Sequence, residues 1–134
     1  MSDIEVATLS KARIVLGDSA VREFRARLRG KLLLPDYAGY DATRRVWNGL
    51  VDKHPALIVR CAGVADVIGG VRFARDHNLL VSVRAGGHNI AGKGVCDGGL
   101  MIDLARMRSV QVNPVKRTAH VEGGATFPTG RGKR

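Results

Sequence analysis

Residues 56–92 read ALIVRCAGVADVIGGVRFARDHNLLVSVRAGGHNIAG, and this stretch decides the fold. It contains a short apolar run over 56–60 and a second one over 79–83. Between them, residues 64–77 carry apolar side chains at the three- and four-residue spacing of a helix. Strand, helix and strand of these lengths form a βαβ unit, and near-continuous apolar strands are typical of a parallel pair buried on both faces. We therefore predict that 56–60 and 79–83 are adjacent parallel strands joined by a helix.

The flanking segments add a helix before this unit and short strands after it. Residues 19–29 are predicted to form a helix that is capped by Asp18 or Ser19 and ended by Gly30. The first 17 residues contain short apolar stretches typical of a strand or a docking arm. After the glycine-rich segment, LMIDL, VQV and TAHVEGG are three strand-like runs separated by turn residues. Together these elements predict an α+β fold.

Composition narrows the class of protein. The chain has 134 residues, a typical length for one domain, and 45% of them are hydrophobic, which excludes a wholly disordered chain. The net charge of +10 suits a nucleic-acid or membrane-surface binder. Because most basic residues are scattered, we favour a solvated basic surface over nucleic-acid binding. We find no signal peptide and no apolar run near the roughly 20 residues of a membrane span, and so predict a cytoplasmic protein.

Residues 84–92, RAGGHNIAG, form the segment that carries chemistry. Glycines directly after a buried strand let backbone N–H groups converge on a phosphate without interference from Cβ atoms. A dinucleotide-binding fingerprint would open a helix at this point, but the next residues, KGVCDGG, break helices. The loop itself is therefore expected to hold the phosphates.

These motifs together resemble a known family. RAGGHNIAG, followed by GGLMIDLARMRSVQVN and VEGGAT, is similar to the PCMH-type FAD-binding domain of the vanillyl-alcohol oxidase superfamily, in its berberine-bridge-enzyme-like branch of FAD-linked oxidases. The upstream βαβ stretch and YDATRRVWNGLVDKHP fit the same pattern. The resemblance covers residues 37–126. It implies an incomplete α+β domain of this type, with FAD as cofactor.

The resemblance also implies roles for individual residues. In this family the loop wraps the FAD diphosphate with its main-chain amides, and the histidine of the GGH motif, here His88, often bonds covalently to the 8α carbon of the flavin. The complete enzymes pass hydride from a C–H bond of an alcohol, sugar or related substrate to the flavin. No catalytic residue and no metal site is implied within the matched stretch. The implied cofactor-binding residues are Arg84, Ala85, Gly86, Gly87, His88, Asn89 and Gly92.

Reasoning from the residues alone leaves other interpretations open. Arg84 is either a flavin contact or a solvated charge at a strand end. Asp103 is expected to cap a turn or order a loop rather than to act as a base. Cys61 and Cys96 are expected to be structural or inert. The remaining histidines show no spacing typical of zinc; they are His54, His77 and His120.

The extent of the match predicts how the chain is organised. Members of this family continue beyond VEGGAT with more of the FAD-binding domain and a substrate domain, which usually supplies the catalytic base. We expect an amino-terminal arm and basic helix over 1–36, a partial FAD-binding domain over 37–126 and a disordered basic tail over 127–134. Such a fragment, taken alone, should not oxidise substrate. The alternatives are a truncated, non-catalytic remnant and a small basic nucleic-acid-binding protein.

Overall fold

The fold is that of a computed structural model, which describes residues 3–10, 12–45, 49–50, 52–85 and 95–125. Its centre is a four-stranded sheet formed by β3 (Lys31–Leu33), β4 (Leu57–Arg60), β5 (Val81–Arg84) and β6 (Leu100–Asp103). The strands lie in the order β3-β4-β6-β5. Strands β4, β6 and β5 are parallel, whereas β3, at one edge, pairs antiparallel with β4.

Helix α3 (Val64–Asp76) links β4 to β5, as the sequence pattern predicts, and the two strands are parallel. The prediction that they are adjacent is wrong, because β6 lies between them. All four residues of β6 are buried, whereas β5 alternates and leaves Val83 53% exposed. The more apolar strand takes the central position, where both of its faces are covered, and β5 becomes an edge strand.

Two helices precede the βαβ unit in the part of the chain that the structure describes. Helix α1 (Asp18–Arg27) buries Val21 and Phe24, as its spacing predicts. The predicted side-chain cap is wrong: the N-cap is Gly17, and the N–H of Asp18 donates to Asp3 instead. Helix α1 also ends before Gly30. Helix α2 (Tyr40–Arg44) is short, and Asp41 lies in its first turn.

Two antiparallel hairpins flank the sheet. The first pairs β1 (Ile4–Ala7) with β2 (Arg13–Leu16), and the second pairs β7 (Val110–Asn113) with β8 (Thr118–Val121). Backbone bonds from Ala7 to Gly98 and Leu80 attach the first hairpin to the main body. The three strand-like runs predicted after the glycine segment are therefore confirmed as β6, β7 and β8. The predicted tail, 127–134, lies outside the described residues.

The core covers both faces of the sheet. One face packs under α1 and α3 and includes Leu57, Val59, Leu100 and Ile102, each at most 1% exposed. The other face has a smaller cluster around Ile58. Burial of each such side chain is worth about 1.5–3 kcal/mol, so these residues contribute much of the stability of the sheet. Within the described ranges, no helix is both long and apolar enough to cross a membrane.

Candidate functional site

The carboxyl ends of the three parallel strands lie side by side. Arg60 ends β4, Arg84 ends β5 and Asp103 ends β6, and the strand register places Asp103 opposite both arginines. In sheets of parallel strands, ligands bind at this edge. A cleft of about 440 Å³ opens here. Its lining residues are Ala42, Thr43, Arg60, Arg84, Asp103, Ala105, Arg106 and Arg108.

Arg84 is held by two contacts rather than solvated. Its Nη1 lies 3.2 Å from Oδ1 of Asp103, and its Nε donates to the backbone oxygen of Arg45 at 3.2 Å. Only 18% of the Arg84 side chain is exposed. Arg84 is therefore not a freely solvated charge at a strand end, and its contact with the cofactor stays a prediction.

Asp103 orders the backbone around it, as its position in MIDL predicts. Its carboxylate accepts a hydrogen bond from the N–H of Ala105, and its backbone oxygen accepts one from Cys61. The residue is 2% exposed. A carboxylate that is buried and already paired with a guanidinium is poorly suited to act as a general base.

The charge of the cleft favours an anionic ligand. Four guanidinium groups line it against the single carboxylate of Asp103. Guanidinium is the side-chain group that best matches phosphate oxygens, because its planar fork can donate two parallel hydrogen bonds. These donors fit the diphosphate of the cofactor implied by the sequence motifs.

The structure places some of the predicted site residues and brings in new ones. Arg84 lines the cleft and Ala85 follows it, exposed, at the start of the glycine loop. Gly86, Gly87, His88, Asn89 and Gly92 lie outside the described residues, so their predicted roles stay predictions. Three lining arginines were missed from sequence: Arg60, Arg106 and Arg108. Each is at or just after the carboxyl end of a strand, and this position was the available signal.

The two cysteines are free thiols, and neither is among the residues that line the cleft. Burial raises the pKa of Cys61 to about 12 and also raises the pKa of Cys96. Thiols of this kind are poor nucleophiles and poor metal ligands at neutral pH. Among the described residues, no group of three histidine, cysteine or carboxylate side chains is arranged to hold a metal ion.

Comparison with known proteins agrees with the sequence motifs. The profile of a family described as "FAD binding domain" matches residues 55–129. (R)-6-hydroxynicotine oxidase from Paenarthrobacter nicotinovorans is 39% identical over 97 residues, which are 72% of this chain and 21% of that protein. The resemblance to FAD-linked oxidases is thereby confirmed.

Solved structures show the same fold. Carbohydrate oxidase from Microdochium nivale matches with a TM-score of 0.71 at 31% identity, over 81% of this chain and 24% of that one. BBE-like 1 from Physcomitrella patens matches with a TM-score of 0.68 at 23% identity, over 75% of this chain and 22% of that one. The predicted α+β fold of a PCMH-type domain is confirmed. The chain spans between a fifth and a quarter of the length of these proteins.

Proposed function

Because this chain belongs to the FAD binding domain family of FAD-linked oxidoreductases, we propose that its arginine-lined cleft and the adjoining loop 84–92 bind the diphosphate of FAD. The proposal extends to the role of the bound cofactor. In an assembled enzyme, this part would hold a flavin that accepts hydride from a C–H bond of an alcohol, sugar or related substrate.

The observation that carries the proposal is the convergence of four arginines on one cleft. Arg60, Arg84, Arg106 and Arg108 come from three separate segments of the chain, yet they line one cleft at the carboxyl edge of the sheet. The glycine loop leaves the sheet at this same edge, directly after Arg84. A diphosphate in this cleft would meet the guanidinium groups that line it, and the glycine-rich sequence after Arg84 is of the kind that supplies backbone N–H donors.

The residues of this chain would bind and orient the cofactor rather than react with substrate. Arg84 is already fixed by Asp103 and by the backbone of Arg45, so little side-chain freedom remains to be lost when an anion binds. Arg108 is similarly steadied by a 2.7 Å bond from its Nε to the backbone oxygen of Ala105. Ordered donors of this kind favour a defined position of the diphosphate, and through it of the flavin.

We also propose that His88 forms a covalent bond to FAD. A neutral imidazole is a nucleophile near pH 7, and His88 follows the two glycines of the loop. The new N–C bond would replace the imidazole N–H bond and one C–H bond of the 8α methyl group. The two protons and two electrons released would reduce dioxygen, the terminal oxidant, to hydrogen peroxide.

Titration of the purified chain with FAD tests the binding proposal. We expect FAD fluorescence to be quenched at saturation, and ADP to compete because it carries the same diphosphate, whereas riboflavin should not compete. Arg60→Gln should weaken binding about tenfold or more, since a hydrogen bond to a charged group is typically worth about 1.5–3 kcal/mol. Arg22→Gln is the matched control, because Arg22 lies on the exposed face of α1. Equal FAD affinity in Arg60→Gln and wild type would contradict the role of the cleft.

Acid precipitation tests the covalent bond separately. After expression with FAD, flavin that remains with the precipitated wild-type chain is covalently attached. We expect this flavin to be absent in His88→Ala. It should be retained in the control variant His120→Ala, because His120 lies on the exposed strand β8. The same amount of acid-stable flavin in both variants would rule out His88 as the site of attachment. If the wild-type chain carries no acid-stable flavin, the proposal of a covalent bond is wrong and only non-covalent binding of FAD remains proposed.

A further inference from the structure

We propose that Asp103 is a positioning residue for cofactor binding, which acts by holding the Arg84 guanidinium at the start of the glycine loop. The inference rests on the proposed function, because it assumes that the cleft binds the FAD diphosphate. It assigns to this carboxylate a task beyond ordering its own turn. Asp103 would set the affinity of the cleft without touching the ligand.

Asp103 and Arg84 form an ion pair that is largely shielded from solvent. Asp103 is 2% exposed at the end of the central strand, so water cannot solvate its charge. Arg84 supplies the opposite charge from the neighbouring strand, opposite Asp103 in register and 3.2 Å away. A buried carboxylate of this kind strongly favours having its cationic partner in place. Asp103 therefore restricts a long side chain that would otherwise sample many rotamers in solvent.

The two contacts of Arg84 also orient its guanidinium group. Asp103 binds Nη1, and the backbone oxygen of Arg45 binds Nε. Two contacts on different nitrogens fix both the position and the plane of a rigid fork. Neither contact uses Nη2. Arg84 can thus be oriented by the protein and still offer donors to an anion in the cleft that it lines.

Asp103 also connects Arg84 to the turn that follows β6. The same Oδ1 of Asp103 that binds Arg84 accepts the N–H of Ala105, and the turn continues with a bond from the N–H of Met107 to the oxygen of Leu104. This turn carries Arg106, which also lines the cleft. One buried carboxylate therefore holds the Arg84 guanidinium and the backbone of the turn that carries Arg106.

A double-mutant cycle on FAD affinity tests the inference. The four proteins are wild type, Asp103→Asn, Arg84→Gln and the double variant, each measured by FAD fluorescence at a temperature where its circular dichroism is native. Asparagine keeps the shape and one acceptor oxygen but removes the charge. We expect Asp103→Asn to bind FAD about tenfold more weakly and the double variant to bind no more weakly than Arg84→Gln alone. This non-additivity is the signature of Asp103 acting through Arg84.

Asp66→Asn is the matched control, since Asp66 is equally buried but lies outside the cleft lining. It should lower the melting temperature and leave FAD affinity unchanged. If Asp103→Asn does not fold, Asp103→Glu replaces it in the cycle, because it keeps the charge while displacing the carboxylate by one methylene group. Additive losses, or wild-type affinity in a folded Asp103 variant, would overturn the inference alone. Failure of the wild-type chain to bind FAD would overturn the proposed function as well.

Discussion

Replacement of Asp66 with asparagine should measure how strongly the amino-terminal part of the chain is tied to the sheet. Asp66 lies in the first turn of α3, and its carboxylate accepts three backbone hydrogen bonds, each 2.8 Å long. Two donors, Arg29 and Gly30, belong to the connection that leads into β3, and the third, Ala62, precedes α3. A buried charge with three N–H donors closes this junction.

The size of the effect follows from these contacts. Oδ2 of Asp66 accepts two of the bonds and Oδ1 the third, so an amide can keep its oxygen on one side only and must turn its NH₂ group toward a donor on the other. At least one hydrogen bond to a charged acceptor is lost. Its cost is about 2–3 kcal/mol. For a chain of this length, that corresponds to a fall in melting temperature of roughly 6–12 °C.

The effect should also depend on pH. Burial raises the pKa of the Asp66 carboxyl, but the three backbone N–H donors lower it by a larger amount. The pKa of this carboxyl therefore lies below its ordinary value. A lowered pKa means that the carboxylate stabilises the folded state above the unfolded pKa of about 3.9 and that this stability is lost as pH falls through the folded pKa. The difference between wild type and Asp66→Asn should therefore be largest near neutral pH and should narrow in acid.

Urea unfolding followed by circular dichroism at pH 7 and at pH 3 provides the measurement. Asp36→Asn is the control, because Asp36 is exposed and its substitution should change stability by less than about 0.5 kcal/mol. An Asp66→Asn free energy of unfolding within 0.5 kcal/mol of wild type at pH 7 would refute the reasoning. A difference that grows as pH falls would refute the assignment of the charged form as the stabilising one.

Three further predictions concern packing and the thiols. Ile102→Ala should lower the free energy of unfolding, measured by urea unfolding, by about 2–5 kcal/mol, because Ile102 is only 1% exposed in the central strand. Ile68→Ala is the control and should cost far less, because Ile68 is 46% exposed. Gly30→Ala should destabilise by about 1–3 kcal/mol in the same assay, because its Cβ would lie 1.9 Å from the backbone oxygen of Arg60; an unchanged midpoint would show that this backbone yields freely. The Cys61 thiol, with its pKa raised to about 12 by burial, should resist iodoacetamide at pH 8 until urea unfolds the chain, as read from the modified peptide by mass spectrometry; native-state labelling at the rate of a free thiol would contradict this.

Much of the local structure could be predicted because its causes are local. The helical spacing between 64 and 77 gave α3, which the structure places at Val64–Asp76. The short apolar runs gave strands, and turn residues between them separated β6, β7 and β8. Interactions between residues far apart in sequence were harder to predict. The prediction of the α1 cap was wrong for this reason, because the N–H of Asp18 donates to Asp3, 15 residues away in the sequence.

The candidate site divides in the same way. Arg84 could be found because it adjoins a recognisable glycine loop, and Asp103 because it ends an apolar strand. Arg60, Arg106 and Arg108 follow no motif of their own, and only the alignment of the strand ends brings them to one cleft. The hydrogen bonds of Asp66 could not be predicted either, because its donors Arg29 and Gly30 are 37 and 36 residues away in the sequence.

The sequence is sufficient to predict the order of the elements from β4 to β8, the place of the glycine-rich segment in the chain, and the family. These features depend on side-chain periodicity and on short motifs, which are properties of neighbouring residues. Only the tertiary structure decided that β6 lies between β4 and β5, and that Asp103 meets Arg84. Strand order depends on which strand buries both of its faces, and the charge pair depends on register between strands. Both depend on free energies summed over the whole core, which no single stretch of sequence contains.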